Sequence, residues 1–217
     1  MIGLGIVNGF GMNKPGASGG VSSSLTAVGT TVASGVTFET ITGVTAYLEK
    51  AGSSAGVATN IATKLTSAEI SNFSFYGGAA DNNSLSSFVT LAWTSATGGN
   101  GTIPAGNDAA AWRSVACSNS VESGVQATVK ADTTVRRVRV YSRTISFGGN
   151  NGTSCRCTLN DGSGLTQTLT QAAGNTSVYF EFTFNANASA QTMTIQLFPV
   201  SLGTTPQISY SAITWGT

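Results

Sequence analysis

The sequence predicts an all-β protein whose main body is an antiparallel β-sandwich. β-Branched and aromatic residues alternate with Ser and Thr along most of the 217 residues, which is the pattern of half-buried strands. Clusters of Gly, Asn and Asp interrupt these runs at strand-like intervals, and no helical spacing of apolar residues persists long enough for a coiled coil. With 41% hydrophobic residues, a chain of this length can bury a substantial core.

The first segment, residues 1–20, is predicted to be an extended apolar docking arm. Glycines interrupt its opening run, each costing a helix about 1 kcal/mol relative to Ala, and the first basic residue, Lys14, comes after the apolar residues. The segment therefore fits neither an export signal nor a membrane anchor. Period-two spacing of its apolar side chains favours docking on a neighbouring subunit over a frayed start; these side chains are Ile2, Leu4, Ile6 and Phe10.

The rest of the chain is predicted to form two parts. Residues 21–66 make a small Ser/Thr/Gly-rich β region, in which "VTFETITGVTAYLEK" is interpreted as a strand pair. Residues 67–217 make the sandwich, interrupted by a long glycine-rich loop, "SATGGNGTIPAGNDAA".

The clearest strands are "SVYFEFTFNA" and "QTMTIQLF", which the turn residues "NANASA" separate. This spacing predicts an antiparallel hairpin. Their inward-facing side chains alternate along each strand: Val178, Phe180, Phe182 and Phe184 in the first, Met193, Ile195 and Leu197 in the second.

The last strand, "QISYSAITW", changes the parity of its apolar residues along its length. Ile208 and Tyr210 share one face, whereas Ile213 and Trp215 share the other. This change predicts a β-bulge near Ser211–Ala212.

Composition excludes several classes of function. Only 9% of residues are charged and the net charge is +1, so no strong field attracts nucleic acid or an anionic membrane. The chain has no His, which excludes Ser-His-Asp and Cys-His catalysis and removes the commonest metal ligand. Its three cysteines are an odd number, and Cys155 and Cys157 are expected to be buried thiols. We expect no enzyme, no cofactor and no metal site.

Local charge is concentrated in "RRVRVYSR". On a strand, Val138 and Val140 would point inward and the alternate residues outward. The outward stripe could contact another subunit or a glycan, or could be a solvated face whose arginines pair with Glu181 or Glu122. Its members are Arg137, Arg139, Tyr141 and Arg143.

Aromatic residues are the second group of candidate contacts, because an exposed ring can stack on a sugar face. Trp112 follows the glycine-rich loop and precedes Arg113, and this pair is predicted as a glycan or subunit contact. Trp93 fits a core position, and Trp215 fits either the core or an interface. The loop carboxylates, Asp81, Asp108, Asp132 and Asp161, lack the spacing of a calcium loop and are interpreted as turn residues.

From about residue 68 onward, the order of motifs resembles an uncharacterised bacterial β-sandwich module found beside glycoside-active and cell-surface domains. The most specific part is "KADTTVRRVRVY" followed by "LNDGSG", and "ISNFSFYGG" and "VTLAWTS" precede it. Such modules are jelly-roll-like and similar to galactose-binding carbohydrate modules, so the resemblance implies glycan binding. This chain differs in having no proline before "ADTT" and in carrying the 1–66 extension.

The N-terminal region has a second resemblance, to small virion proteins of tailed bacteriophages such as head decorations and fibres. Its Met followed by glycine-alternating aliphatics, and then a Ser/Thr/Gly-rich β region, is similar to theirs. The resulting prediction is a non-enzymatic structural protein of a phage virion, docked on neighbouring virion proteins through the arm. A homotrimer is expected, because oligomerisation would protect sheet edges. The alternative is a carbohydrate-binding module for cell-surface glycan.

Overall fold

The computed structural model describes most of the chain from residue 112 onward and shorter stretches before it. The described ranges are 20–33, 37–49, 69–71, 73–85, 90–95, 100–103, 112–144, 152–174, 176–202, 204, 206–210 and 212–217. Every regular element in these ranges is a β-strand. The predicted arm residues Ile2, Leu4, Ile6 and Phe10 lie outside them.

The described ranges contain fifteen strands. In chain order they are β1 (Ser24–Ala33), β2 (Thr37–Glu49), β3 (Ser74–Tyr76), β4 (Ala80–Leu85), β5 (Thr90–Ser95), β6 (Asn100–Ile103), β7 (Trp112–Ala116), β8 (Gly124–Ala131), β9 (Arg136–Arg143), β10 (Thr153–Leu159), β11 (Thr166–Gln171), β12 (Ser177–Asn185), β13 (Gln191–Pro199), β14 (Gln207–Tyr210) and β15 (Ala212–Gly216).

These strands make three sheets. A seven-stranded sheet has the order β1-β12-β9-β15-β2-β5-β6, and a five-stranded sheet has the order β11-β10-β13-β8-β3. Strands β14, β7 and β4 form a small third sheet. All pairs are antiparallel except β2 with β5, which run parallel. The predicted all-β antiparallel sandwich is therefore confirmed, with one parallel pair that the sequence did not indicate.

The core fills the space between the seven- and five-stranded sheets. Phe180, Phe182 and Phe184 of β12 are completely buried, as the alternation of that strand predicts. Met193, Ile195 and Leu197 belong to the same cluster, although they come from β13 in the other sheet. Burying one such side chain contributes about 2 kcal/mol to stability, so these alternating positions fix which face of each strand points inward.

The predicted hairpin between β12 and β13 is wrong. β12 pairs with β1 and β9, whereas β13 pairs with β10 and β8. The connecting segment crosses from one sheet to the other, and the Ala186 amide donates to the Asp132 carbonyl at 2.8 Å near the crossing. Both strands present apolar faces, and these faces bury each other across the sandwich rather than lying side by side.

The parity change near residue 211 coincides with a change of sheet, and not with the β-bulge within one strand that the sequence predicted. β14 pairs with β7 in the small sheet, whereas β15 pairs with β9 and β2 in the seven-stranded sheet. Ile208, Tyr210, Ile213 and Trp215 are all buried in one core cluster. A strand that switches sheets can bury opposite faces before and after the switch.

The strands that precede residue 67 belong to the same seven-stranded sheet as the C-terminal strands. β1 pairs with β12, and β2 pairs with β15. β2 is one continuous strand of 13 residues, so the predicted strand pair in "VTFETITGVTAYLEK" is wrong. Strands from both predicted parts, 21–66 and 67–217, therefore pair side by side in one sheet.

Candidate functional site

The predicted arginine stripe lies on β9, on the outer face of the seven-stranded sheet. Val138 and Val140 point into the core, and the alternate side chains lie on the opposite face. Tyr141 is only 1% exposed and Arg143 only 8% exposed, while Arg137 and Arg139 are half-buried. Burial lowers the pKa of Arg143. The stripe is thus a closely packed surface at its C-terminal end.

Charged side chains of this surface make ion-pair and stacking contacts with one another and with its aromatic rings. The Arg139 guanidinium donates to Glu181 and lies 4.4 Å above the ring centroid of Tyr179. The ring of Tyr141 lies 5.7 Å from that of Tyr179. Burial lowers the pKa of Arg139, but the hydrogen bond to Glu181, together with the electrostatic attraction of Tyr141, Glu181 and Tyr179, outweighs it and raises the pKa above its ordinary value. We call these four residues, Arg139, Tyr141, Tyr179 and Glu181, the packed face.

The tryptophans occupy different environments. Trp112 and Arg113 begin β7, the central strand of the small sheet, and their side chains lie outside the described part of the structure, as does that of Trp93. Trp215 is buried, and its indole N–H donates to the Lys130 carbonyl at 3.0 Å. The Arg136 guanidinium covers its ring at 4.6 Å.

The start of β1, where the predicted arm ends, is fastened to the sandwich by side chains. Ser23 donates to the Asp161 carboxylate, and Ser24 donates to the Asn185 side-chain oxygen. The Asn185 amide in turn donates to the Ser22 carbonyl at 2.8 Å. We call this group, Ser22–Ser24 with Asp161 and Asn185, the β1 clasp.

Asp161 is the charged centre of the clasp. It follows β10 in a turn that Gly162 closes with φ near +82°, a backbone conformation that favours glycine. Burial raises the pKa of Asp161, but hydrogen bonds from Ser163, Ser23 and the Asn187 amide outweigh it and lower the pKa well below its usual range. The carboxylate is therefore held ionised, which strengthens the bonds it accepts.

The outer face of the five-stranded sheet carries a second set of polar side chains. Arg156 donates to the Gln196 side-chain oxygen at 2.6 Å and makes a two-pronged ion pair with Glu122. Its guanidinium lies 4.9 Å from the ring centroid of Phe198. The Gln196 amide reaches Gln126 at 3.4 Å. We call these five residues the Arg156 network.

The same face contains a groove at its other end. Its volume is about 380 Å³, within the range of small-molecule clefts. It lies between residues 69–71, β8 and the beginning of β13. The polar lining comes from Glu69, Ser71, Thr128, Lys130, Gln191 and Thr192, which we call the Lys130 groove. Ile70 and Val129 lie beneath it in the core.

The groove is held in shape by backbone and side-chain hydrogen bonds. The Lys130 amide donates to the Glu69 carbonyl at 2.7 Å, and the Ser71 amide donates to the Thr128 carbonyl at 2.8 Å. The Thr128 amide donates to the Ser71 hydroxyl at 2.7 Å. Next to Gln191, Ala190 has φ near +62°, the one positive φ of a non-glycine residue in the described ranges. Strained backbone of this kind is often found at functional sites.

The groove and the Arg156 network together are called the open face. Glu69, Lys130 and Arg156 carry no distinctive signal in the sequence, although the alternation of β13 implies that Thr192, Thr194 and Gln196, between its inward residues, face outward. Such polar alternation identifies a face, but it does not show that residues 69–71 close one side of it. Within the described ranges, no three metal-ligating side chains cluster, and no helix is long and apolar enough to cross a membrane.

Comparisons with known proteins give weak likenesses. No protein-family model and no curated protein matches the chain. The enzymatically active domain of tailspike protein 4 from Bacteriophage CBA120 has a TM-score of 0.42 and 11% identity over 77% of this chain, which spans only 21% of that chain. The CBM22-1 xylan-binding domain of Paenibacillus barcinonensis Xyn10C has a TM-score of 0.44 and 8% identity over 82% of this chain and 97% of that one. Similarity this low carries no argument about function.

Proposed function

We propose that this protein is a non-catalytic β-sandwich that binds glycan through its open face. The observation that carries the proposal is the combination of a 380 Å³ groove and a network of fixed amide, guanidinium and hydroxyl groups on one rigid sheet face. Sugars present many hydroxyls, and each can donate and accept a hydrogen bond. Polar groups that are already oriented bind such ligands without paying a large ordering cost.

The residue types support binding rather than catalysis. The chain has no His, and its carboxylates are few. Glycoside hydrolysis ordinarily needs two carboxyl groups about 5–10 Å apart across the scissile bond. On the open face, Glu122 is engaged with Arg156, and Glu69 is the one carboxylate among the groove-lining residues.

Affinity electrophoresis of the full-length chain in gels containing bacterial surface polysaccharides tests this function. We expect retardation that falls at least fivefold when Gln126→Ala and Gln196→Ala are combined, because both amides lie on the open face. Thr183→Ala, on the outer face of the other sheet, is the matched control and should bind like the wild type. Equal mobility of the wild-type chain in gels with and without every polysaccharide would contradict glycan binding.

A second function, docking into a phage particle, is favoured by the β1 clasp. The clasp fastens Ser22–Ser24, which directly follow the predicted arm, residues 1–20, to the sandwich. A docking arm can transmit load to a domain only if its attachment point is rigid, and the clasp supplies three side-chain hydrogen bonds there. We propose that neighbouring virion proteins, or other copies of this chain in a trimer, receive the arm, and that the sandwich is displayed on the virion.

Light-scattering mass tests the docking function. The full-length chain is compared with a version that begins at Val21 and keeps the clasp. We expect the full-length chain to form a defined multimer or larger assemblies and the shortened chain to be a monomer. Identical monomers in both samples would contradict docking through the arm and would leave glycan binding unaffected.

A further inference from the structure

We infer that the open face binds an extended, uncharged polysaccharide chain that lies across the strands of the five-stranded sheet, with one end in the Lys130 groove. The inference rests on the proposed glycan binding by this face and specifies the form of the ligand. Two rows of polar side chains that cross four strands support it, together with the position of the groove at the end of one row.

Four threonines form a continuous row across the outer face of the sheet. Thr158 of β10 lies directly opposite Thr166 of β11 on one side and opposite Thr194 of β13 on the other. Thr194 in turn lies opposite Thr128 of β8. Thr158, Thr194 and Thr128 alternate with buried residues along their strands and therefore point outward, and Thr166 is exposed. We call these four residues the threonine row.

A second row runs alongside the first, two residues away on each strand. Arg156 lies opposite Thr168 on one side and opposite Gln196 on the other, and Gln196 lies opposite Gln126. The Arg156 guanidinium donates to the Gln196 side-chain oxygen at 2.6 Å, and the Gln196 amide donates to Gln126 at 3.4 Å. These polar groups are therefore held in position before a ligand binds. We call these four residues the amide row.

The spacing of the two rows suits a chain of sugar rings. Neighbouring strands are about 4.8 Å apart, so each row repeats at a distance comparable to the length of one pyranose unit in an extended chain. The rows are about 7 Å from each other, since two residues of a strand separate them. A chain that lies between them presents the hydroxyls of one edge to the threonine row and those of the other edge to the amide row.

The threonine hydroxyls can exchange hydrogen bonds with such a chain. The oxygens of Thr158 and Thr166 share a hydrogen bond of 3.2 Å, and the Asn160 amide donates to Thr194 at 2.9 Å. A hydroxyl has one hydrogen and two acceptor positions, so a group that makes one bond keeps capacity for a sugar hydroxyl. The existing bonds restrict side-chain rotation, which lowers the ordering cost of binding.

The composition of the rows favours an uncharged chain and a long one. Arg156 is the one charged member of the two rows, and its ion pair with Glu122 balances that charge. The same guanidinium covers the ring of Phe198, so the rows recognise a ligand by hydrogen bonds rather than by stacking. Each such bond replaces one to water and contributes little by itself. Affinity must therefore accumulate over several sugar units.

The groove lies at the β8 end of the threonine row. Thr128 belongs to both, and Thr192, the next outward residue from Thr194 on β13, also lines the groove. The groove volume of about 380 Å³ admits a single ring. A terminal sugar in the groove places the following units over β13, β10 and β11 in turn, so a chain of about four units spans the rows.

Titration calorimetry of the full-length chain tests the inference. The probes are cello-, manno- and chito-oligosaccharides of two to six units, which are uncharged, β-linked and extended, and malto-oligosaccharides, which are α-linked and curved. We expect the affinity for at least one extended series to rise at least tenfold from two to four units and less than twofold beyond, because four strands carry the rows. The α-linked series should rise less than threefold over the same lengths.

Thr158→Val combined with Thr166→Val removes two hydroxyls far from the groove and keeps the branched shape of both side chains. Since these hydroxyls bond each other, replacing both leaves neither without its partner. The double variant should bind the four-unit chain at least fivefold more weakly and the two-unit chain like the wild type. Thr170→Val, on β11 but outside both rows, is the matched control and should bind like the wild type. Unfolding curves of each variant confirm that the fold is retained.

Three results would overturn the inference: no rise in affinity between two and four units, an equal rise with the α-linked series, or undiminished binding of the four-unit chain by the double variant. Retardation in polysaccharide gels without binding of any of these oligosaccharides would also overturn it, while glycan binding by the open face stands. A wild-type chain that binds neither the oligosaccharides nor any polysaccharide would overturn both proposals.

Discussion

The two outer faces of the sandwich use similar residues in different ways. On the packed face, Arg139 pairs with Glu181 and stacks on Tyr179, and these side chains are 11% and 14% exposed in the ion pair. On the open face, Arg156 pairs with Glu122 and stacks on Phe198, but the paired side chains are 28% and 42% exposed. The same motif of arginine, carboxylate and ring is therefore desolvated on one face and accessible on the other.

This difference in exposure implies that the packed face contributes to stability and that the open face is available for binding. A desolvated charge pair contributes to folding only while both partners are present, because removing one leaves the other charge buried. An accessible pair contributes little to folding, since water competes for it and screens it. We therefore expect substitutions on the packed face to change stability and substitutions on the open face to change binding.

Tyr141→Ala should have the largest effect. The ring is almost fully buried on the packed face, and truncating a buried aromatic leaves a cavity that costs about 3 kcal/mol or more. Urea unfolding should show this loss, while polysaccharide retardation of the folded variant stays at the wild-type level. Tyr141→Phe keeps the ring and should lose much less. A Tyr141→Ala chain as stable as the wild type would show that this face is not packed.

The two ion pairs give the next largest contrast. Glu181→Gln should cost about 2 kcal/mol, since it leaves Arg139 half-buried without its charged partner. Glu122→Gln should cost at most about 0.5 kcal/mol, because its pair with Arg156 is more exposed. Double-mutant cycles with Arg139→Leu and Arg156→Leu measure both coupling energies. Equal couplings would remove the distinction between the faces.

Asp161 tests the clasp through pH. Its pKa is lower in the folded than in the unfolded chain, so its stabilisation is complete above about pH 4 and is lost as the pH falls below that value. Asp161→Asn should cost about 1 kcal/mol at pH 7 and progressively less at lower pH. Urea midpoints measured between pH 7 and pH 2.5 follow this change. A difference that stays constant with pH would show that the carboxylate charge does not act in the clasp.

Lys130→Met should have the smallest effect on folding. Lys130 is half-buried on the outward side of β8 and Met keeps its aliphatic stem, so the substitution should change the free energy of unfolding by about 0.5 kcal/mol or less. Thermal unfolding monitored by circular dichroism measures this. A loss as large as that of Tyr141→Ala would mean that the groove supports the fold rather than remaining available to a ligand.

The all-β sandwich and its inward-facing residues were predictable because alternation reports burial directly. Phe180, Phe182 and Phe184 and their counterparts on β13 are core residues. The change of parity before Ala212 was visible too, but it predicted a β-bulge where the structure has a change of sheet. Strand partners were not predictable, since alternation says which face is buried and not which strand lies alongside. The hairpin between β12 and β13 is wrong for that reason.

The site was harder to predict than the fold. Glu69 and Lys130 are far apart in sequence and become neighbours only through the pairing of residues 69–71 with β8. Conversely, the arginines of β9 are conspicuous in sequence, but the structure engages Arg139 with Glu181 and buries Arg143. The predicted contacts at Trp112 and in the arm involve side chains outside the described residues and remain predictions.

The most direct test of the difference between the faces is to map a neutral sugar onto the backbone by NMR. Methyl glycosides of glucose, galactose and mannose are titrated into the isotope-labelled full-length chain, and amide shifts are followed. We expect shifts concentrated at residues 69–71, 128–130 and 191–192, with the amides of β9 and β12 unchanged. Shifts centred on Arg139, Tyr179 and Glu181, or no shifts with any of the three sugars, would contradict it.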